Sequence, residues 1–326
     1  MVGCFDHVDL RLLWFEMSLL MEELFAQLRG DGYEGRVVSI QHVSSLQEEI
    51  EDNCKQGLLN KEFYQERLAW FDFRVPESLP KAQSIIVVAV PRPQTQATFT
   101  WNGKSWPLLI PPTYTAYDET RKRVEDLLKK ILAEKEYHIA RTALPLKLLA
   151  ARSGLGSYGR NNVVYVPSMG SFLQLVGAYS DLACERDDWQ EAQMMKNCQN
   201  CQLCRQRCPT EAISSDRFLL RAERCIVFHN EKKGDVPFPA WMNPSWHNCV
   251  VGCLHCQQIC PQNRNFLQWI GEKEEFSEEE TTLLLKGAPR DQLPIKTVRK
   301  LEHLSLIDYL DSLPRNLGVF FRNNAH

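Results

Sequence analysis

Four cysteines within eleven residues, in the stretch "CQNCQLCRQRCPTEAI" from Cys198 to Ile213, constrain this chain more than any other feature. Cys198, Cys201, Cys204 and Cys208 follow the C-x2-C-x2-C-x3-C-P run of four-iron clusters. Three thiolates two residues apart can each take one corner of a cubane while their amides point at its sulfides. The fourth, ahead of proline, is turned away and serves a second cluster in two-cluster proteins. A second motif is therefore expected, and "CLHCQQICP" supplies it, with Cys260 preceding Pro261 as Cys208 precedes Pro209.

Interlocking the two runs assigns Cys198, Cys201, Cys204 and Cys260 to cluster one. Cluster two takes Cys253, Cys256 and Cys208 and lacks one thiolate. Strict repetition would put it at position 250, which is Val250, so Cys225 in "RCIVFHNE" and Cys249 in "HNCVVGC" are the two candidates. A zinc site could use the same C-x2-C pairs, but eight thiols in two CP-ended runs favour iron and sulfide. His247 and His255 lie among the cysteines and read as packing or hydrogen-bonding groups, because the thiol count suffices without them. Cys4, Cys54 and Cys184 stand alone and read as ordinary buried thiols.

Twelve cysteines fit either a secreted disulfide protein or a thiol-ligated metalloprotein. The N-terminal stretch is interrupted by Asp6, Asp9, Arg11, Glu16 and Glu22, so it is neither a signal core nor a membrane span. From Leu12 it reads as an amphipathic helix, and the expected location is cytoplasmic, with no membrane partner. A net charge of −3 gives no general attraction to nucleic acid. Along the chain, Val37, Val38 and Ile40 mark a short strand, and residues 45–70 read as charged helix. Ile85–Val90 is a continuous apolar run between prolines, as for a buried strand in an α/β layer. "WNGKSWPLLIPPTYTAY" reads as a proline-rich loop. Helices follow over "DETRKRVEDLLKKILAEK" and "LPLKLLAARSG", then strands in "NNVVYVP" and "SFLQLVGAYS". Composition breaks near Cys184. Past Trp269 the chain reads as polar helix. Three units are expected: residues 1–183, a cysteine-dense unit over 184–270, and a short helical segment over 271–326.

"GLGSYG" (Gly154–Gly159) matches G-x-G-x-x-G literally. A dinucleotide site needs a strand before the glycines and a helix after them; here the order is reversed, so that site is rejected. The glycines mark a tight helix-to-strand turn where backbone can approach a neighbour or a cofactor.

Together, "AARSGLGSYGRNNVVYVPSMGSF", the two cysteine runs, "RCIVFHNE" and, more weakly, "LPRNLGVFF" resemble the epoxyqueuosine reductase family. The resemblance runs from about Pro76 to Asn263. It implies an α+β fold: a nitroreductase-like, corrinoid-binding domain followed by a bacterial-ferredoxin-like domain with two 4Fe-4S clusters. It implies cobalamin as a further cofactor, and it favours Cys225, the family's lone intervening cysteine, over Cys249. By the same carry-over Gly154, Gly156, Gly159, Arg160 and Asn161 correspond to the turn beside the cofactor, with Arg160 in place of the usual lysine.

Departures accompany the match. Thr142 stands where the family has the aspartate thought to donate a proton, and Leu148 where it has a glutamate. The upstream Asp-Tyr-His signature is replaced by "PTYTAYDE". A threonine hydroxyl does not deliver a proton at neutral pH as a carboxylic acid does, so the proton would come from elsewhere, with Tyr117 and Tyr158 as candidates. The chain stops soon after Asn316, without the family's helical repeats, and Lys286, Arg290, Lys296, Arg299 and Lys300 make a modest basic patch, so a tRNA grip is not expected. The expected function is a cobalamin-dependent iron-sulfur reductase acting on an unidentified electrophilic small molecule or modified nucleoside. Its electrons would come from a low-potential donor such as ferredoxin or flavodoxin. The alternative is an electron-transfer or corrinoid-reactivating protein without substrate chemistry. A flavin reductase ranks last, on fold analogy alone.

Overall fold

The computed structural model describes residues 10–322, with side chains from residue 18 to residue 321; Cys4, Asp6 and Asp9 lie outside the described residues. Helix α1 (Leu10–Gly30) turns at Gly32 into strand β1 (Glu34–Ser39), and α2 (His42–Lys55) and α3 (Lys61–Arg67) divide the charged stretch that follows. The apolar run is strand β2 (Ser84–Pro91). After it come β3 (Gln94–Trp101), β4 (Lys104–Ile110), α4 (Tyr117–Ala133), β5 (Ile139–Arg141) and α5 (Leu146–Arg152). Two short strands follow, β6 (Ser157–Tyr158) inside the glycine motif and β7 (Val164–Tyr165) after it, and β8 (Leu173–Ser180) closes the N-terminal part.

The main sheet has the order β1-β2-β8-β5, and every pair in it is antiparallel. An antiparallel sheet commonly wets one face. This one does not, because helices cover both faces. Ile85, Val87 and Ala89 pack with residues of α2 and α5, among them Leu46 and Leu149. Ile86, Val88 and Val90 pack with α1 and α4, against Leu24, Leu28, Val124 and Leu128. Alternate residues of one strand thus serve two cores, which is why the β2 sequence is apolar without a break.

The stretch expected to be a proline-rich loop is instead a hairpin. β3 and β4 pair antiparallel from Thr95↔Ile110 to Trp101↔Lys104, around a turn in which Asn102 and Gly103 both have positive φ. Asn-Gly is the dipeptide that such a turn favours. Pro107 is tolerated because β4 is an edge strand of its sheet.

The cysteine-bearing segment holds only short helices: α6 (Leu203–Arg207), α7 (Ile226–Asn230) and α8 (His255–Gln258). The chain then enters β9 (Ile270–Phe276), where polar helix was expected. β9 pairs in parallel with β3, so main-chain hydrogen bonds hold a charged sequence in an edge strand. Its one fully buried side chain, Phe276, stacks on Phe99 with centroids 4.8 Å apart. Ser277 and Glu280 form a reciprocal capping box that starts α9 (Glu278–Leu285). Helices α10 (Ile295–His303) and α11 (Leu313–Arg322) complete a third core with the hairpin, Val250 and Val251. The C-terminal residues therefore pack on strands nearly two hundred residues earlier. The whole is an α+β fold, and no helix of the described residues is long and apolar enough to cross a membrane.

Candidate iron-sulfur centres and adjoining cleft

The cysteines fall into two groups. Burial pushes the Cys204 thiol up to about 11, and neighbouring Cys198, Cys201 and Cys260 push the same way. Cys198 is likewise raised, mainly by burial, and it also feels Cys260 and Cys201. The second group centres on Cys225, whose thiol burial raises to about 11 with help from Cys208. Cys253 and Cys256 are raised well above an ordinary thiol, first by burial, then Cys253 by Cys249, Cys225 and Cys208 and Cys256 by Cys253, Cys225 and Cys208. Cys249 is raised by burial, adds to the shift of Cys253, and is not among the groups acting on Cys256 or Cys225. Cys249 and Cys225 thus both act on Cys253, while Cys225 alone of the two also acts on Cys256. Among the described residues no three His, Cys, Asp or Glu converge tightly enough to chelate one metal ion.

Thiols raised in this way are uncharged near neutrality, and only deprotonated sulfur ligates metal. Loading metal onto them must release protons. His247 and His255 donate ring N–H groups to the carbonyls of Pro244 (3.1 Å) and Trp246 (2.9 Å), and burial lowers both pKa values. They are hydrogen-bonding groups here. Cys54 is exposed, against expectation, and Cys184 is half-buried with its thiol raised to about 11 by desolvation.

The glycine turn lies against these thiols. Gly154, at φ +73°, ends α5, and Gly156 sits so close to β7 that a Cβ would come 2.7 Å from the Tyr165 carbonyl oxygen. A Cβ on Gly159 would strike Asn161 Oδ1 at 2.5 Å and the Tyr165 ring at 2.6 Å. Asn161 and Tyr165, hydrogen-bonded to each other at 2.9 Å, reach Cys256 and Cys260 respectively. Arg160 donates to the carbonyls of Cys198 (2.7 Å), Gln199 (3.1 Å) and Cys201 (2.9 Å), clasping the first cysteine loop. Asn263 does the same for the second, donating to Gln257 O and Ser171 Oγ while accepting from Ser171 N–H. Arg160 and Asn161 thus touch the cysteine loops, while Gly154 and Gly156 line a pocket of about 520 Å³ with Ser157, Ser168, Gln190 and Gln262 and the charged Glu34 and Arg36.

Sequence reasoning missed a polar cluster beside α5. Lys147, in the first turn of that helix, is exposed in area, and desolvation lowers its pKa. It feels the charges of Cys225 and Glu231. Tyr114 donates a short hydrogen bond to Glu231 Oε1, and Arg67 Nη1 lies 3.1 Å from Oε2. Burial raises the Glu231 pKa even so. Beside Tyr114, Thr115 Oγ1, Gln174 Oε1 and Arg92 Nε are buried with no partner among the described residues. Arg315 and Asn316 of α11 hold the Glu231 loop from behind, donating to the carbonyls of Asn230, Lys232, Lys233 and Val236.

At Thr142 the hydroxyl accepts from the Leu144 N–H at 3.1 Å, and Leu148 is buried in the core. Asp72 pairs with the neighbouring Ala143 backbone, but Arg74 holds its carboxyl down to about 2, so it is ionised at neutrality. Tyr117 donates to the Leu175 carbonyl at 3.2 Å, and Tyr158 is buried with its pKa raised by desolvation. Glu231 lies six residues past Cys225 in "RCIVFHNE", but nothing in the spacing tied it to Lys147, 84 residues earlier.

A family model described as a 4Fe-4S double cluster binding domain matches residues 197–263. The epoxyqueuosine reductase of Staphylococcus aureus is 31% identical over 197 residues, 57% of this chain and 50% of the relative. That of a Synechococcus strain is 30% identical over 203 residues, 58% of each chain. The chain thus spans a little over half the length of these two relatives. A solved epoxyqueuosine reductase from Bacillus subtilis superposes with a TM-score of 0.67 at 22% identity, covering 93% of this chain and 81% of its own, and so shares the fold. Another structure with the same TM-score, at 21% identity, holds an epoxyqueuosine-modified tRNA-Tyr stem loop.

Proposed function

We propose that this chain, a member of the epoxyqueuosine reductase family, is a corrinoid-dependent iron-sulfur reductase whose substrate is reduced at the polar cluster beside Cys225. The observation that carries the reading is the meeting of a cysteine of the second thiol group with Lys147, Tyr114 and Glu231 of that polar cluster. Electrons held at Cys225 would emerge where polar side chains are arranged, rather than at a bare surface. Cys198, Cys201, Cys204 and Cys260 would hold one cluster, and Cys208, Cys225, Cys253 and Cys256 the other.

The chain offers a corrinoid one feature, the pocket beside the glycine turn. Gly154 and Gly156 present bare backbone to the 520 Å³ pocket. Those residues would hold it. When bound, a corrinoid supplies a low-potential metal centre able to reduce an electrophilic carbon. The protein's own part is positioning and proton supply.

Glu231 suits the second task. Burial favours its protonated form, Arg67 and Tyr114 fix both its oxygens, and Asp72 and Thr142 are unsuited for the reasons given above. Lys147 would stand over the substrate as a hydrogen-bond donor. With the acid moved from the family's position to Glu231, we assign an electrophilic small molecule or modified nucleoside other than tRNA-borne epoxyqueuosine.

Anaerobic reconstitution with iron, sulfide and hydroxocobalamin tests this. The expected result is about eight irons and one retained cobalt, the cobalt reducible by dithionite through the clusters. Eight irons without cobalt would make the protein an electron carrier. Conversion of epoxyqueuosine in a tRNA stem loop would overturn the substrate assignment. Glu231→Gln should lower turnover and abolish the loss of rate as pH rises through the elevated carboxyl pKa.

A further inference from the structure

Around the first cysteine motif the surface changes sign. Residues 198–226 hold five arginines against three carboxylates, a surplus of two, in a chain of net −3, so the remainder carries −5. Arg205, Arg221 and Arg224 line one open pocket of about 590 Å³, with Cys208 in its wall. Arg221 pairs with Asp216 at 3.1 Å, and Arg224 donates to the Thr210 carbonyl at 2.8 Å and lies 3.9 Å from Glu211, the one carboxylate among the lining residues. The Arg205 Nε–H is buried and has no acceptor among the described residues.

Two partners could bring anionic oxygens: nucleic acid with phosphates, or a protein with carboxylates. A surplus of two charges on an otherwise acidic chain is a weak attractor for a phosphate backbone, whose binding scales with the number of phosphates neutralised. Leu203 and Phe218, both exposed, lie on the same arginine-rich stretch. Apolar side chains with arginine are the composition of protein interfaces. A carrier seated here would also stand against a thiol of the second group.

We propose that the Arg205–Arg221–Arg224 pocket is the docking site of an acidic one-electron carrier protein, whose surface carboxylates fill it. This rests on the double-cluster reading above. The step moves one electron: the carrier is oxidised by one, the cluster is reduced by one, and no bond or proton changes hands. Opposite charge steers such encounters, so the rate should fall as salt rises.

The test is stopped-flow reduction of the reconstituted holoprotein by photoreduced flavodoxin, followed by cluster bleaching at several ionic strengths. Arg205→Glu/Arg221→Glu should slow reduction at least about tenfold and flatten the salt dependence. Lys296→Glu on α10 should leave both unchanged. Dithionite, which needs no docking, should bleach the double variant as fully as the unaltered protein; no bleaching of the unaltered protein by dithionite would sink the double-cluster reading itself. Full dithionite bleaching with an unchanged flavodoxin rate in the double variant would overturn the proposal. So would loss of binding to an epoxyqueuosine-modified stem loop with the carrier rate intact, which would make the pocket a nucleic-acid site.

Discussion

The main sheet and the cysteine segment are held together by different means. In the sheet, β2 buries six consecutive apolar residues against two helical layers, and its order needs nothing from outside the chain. Between residues 197 and 263 the longest helices have five residues, shorter than an isolated helix can sustain. Order there comes from guanidinium and amide clasps at Arg160 and Asn263, from contact with the third core, and from whatever the thiols bind. One region is stabilised by apolar burial, the other by polar ties around buried sulfur.

Removing iron should separate the two most sharply. After anaerobic chelation, residues 197–263 should become susceptible to limited proteolysis while fragments containing β1, β2, β5 and β8 persist. Equal protection in both regions would erase the distinction. Next in size, Cys225→Ala should cost about half the iron, whereas Cys249→Ala should keep it; the reverse result would exchange their roles. On the other side of the comparison, Ile86→Ala should destabilise global unfolding by about 2–5 kcal/mol without changing iron stoichiometry. Loss of iron in that variant would show that the regions are coupled. Arg160→Ala removes three hydrogen bonds to cysteine-loop carbonyls and should speed iron loss to a chelator while leaving the unfolding midpoint of the sheet in place.

The smallest effect is expected at His303, which joins α10 to β9 through Glu274 (2.7 Å) and Glu272 (3.2 Å). The hydrogen bond to Glu274 raises its pKa above the ordinary value. Its contribution is therefore present in full below that ordinary value, and it fades as pH rises through the raised one. His303→Ala should remove that part of the pH dependence of stability, and a profile identical to the parent would dismiss the pair as ornamental.

The double-cluster segment was legible because ligand spacing is local and chemically restrictive, whereas spacing left Cys225 and Cys249 undecided. The helices α4 and α5 and the strands β2 and β8 were legible from apolar pattern and length. The hairpin was not, because Pro107 and the prolines after it outweighed the Asn102-Gly103 signal. β9 escaped for a different reason: "GEKEEF" has almost no apolar alternation, and it is a strand only because β3 offers a parallel edge. The polar cluster was invisible, since Tyr114, Lys147 and Glu231 come from three separate stretches and become neighbours only through the packing of α5 and α11.

That parallel pairing has a consequence for assembly. With β8 fixed in the main sheet and β9 laid beside β3, the intervening segment is tethered at both ends before any metal arrives. The eight thiols assigned to clusters explore a closed loop rather than a free tail, so part of the chain entropy lost in gathering them is already spent by the fold. Iron would then arrive at a drawn purse, and the speed of its capture would depend on the sheet edge as much as on the sulfur.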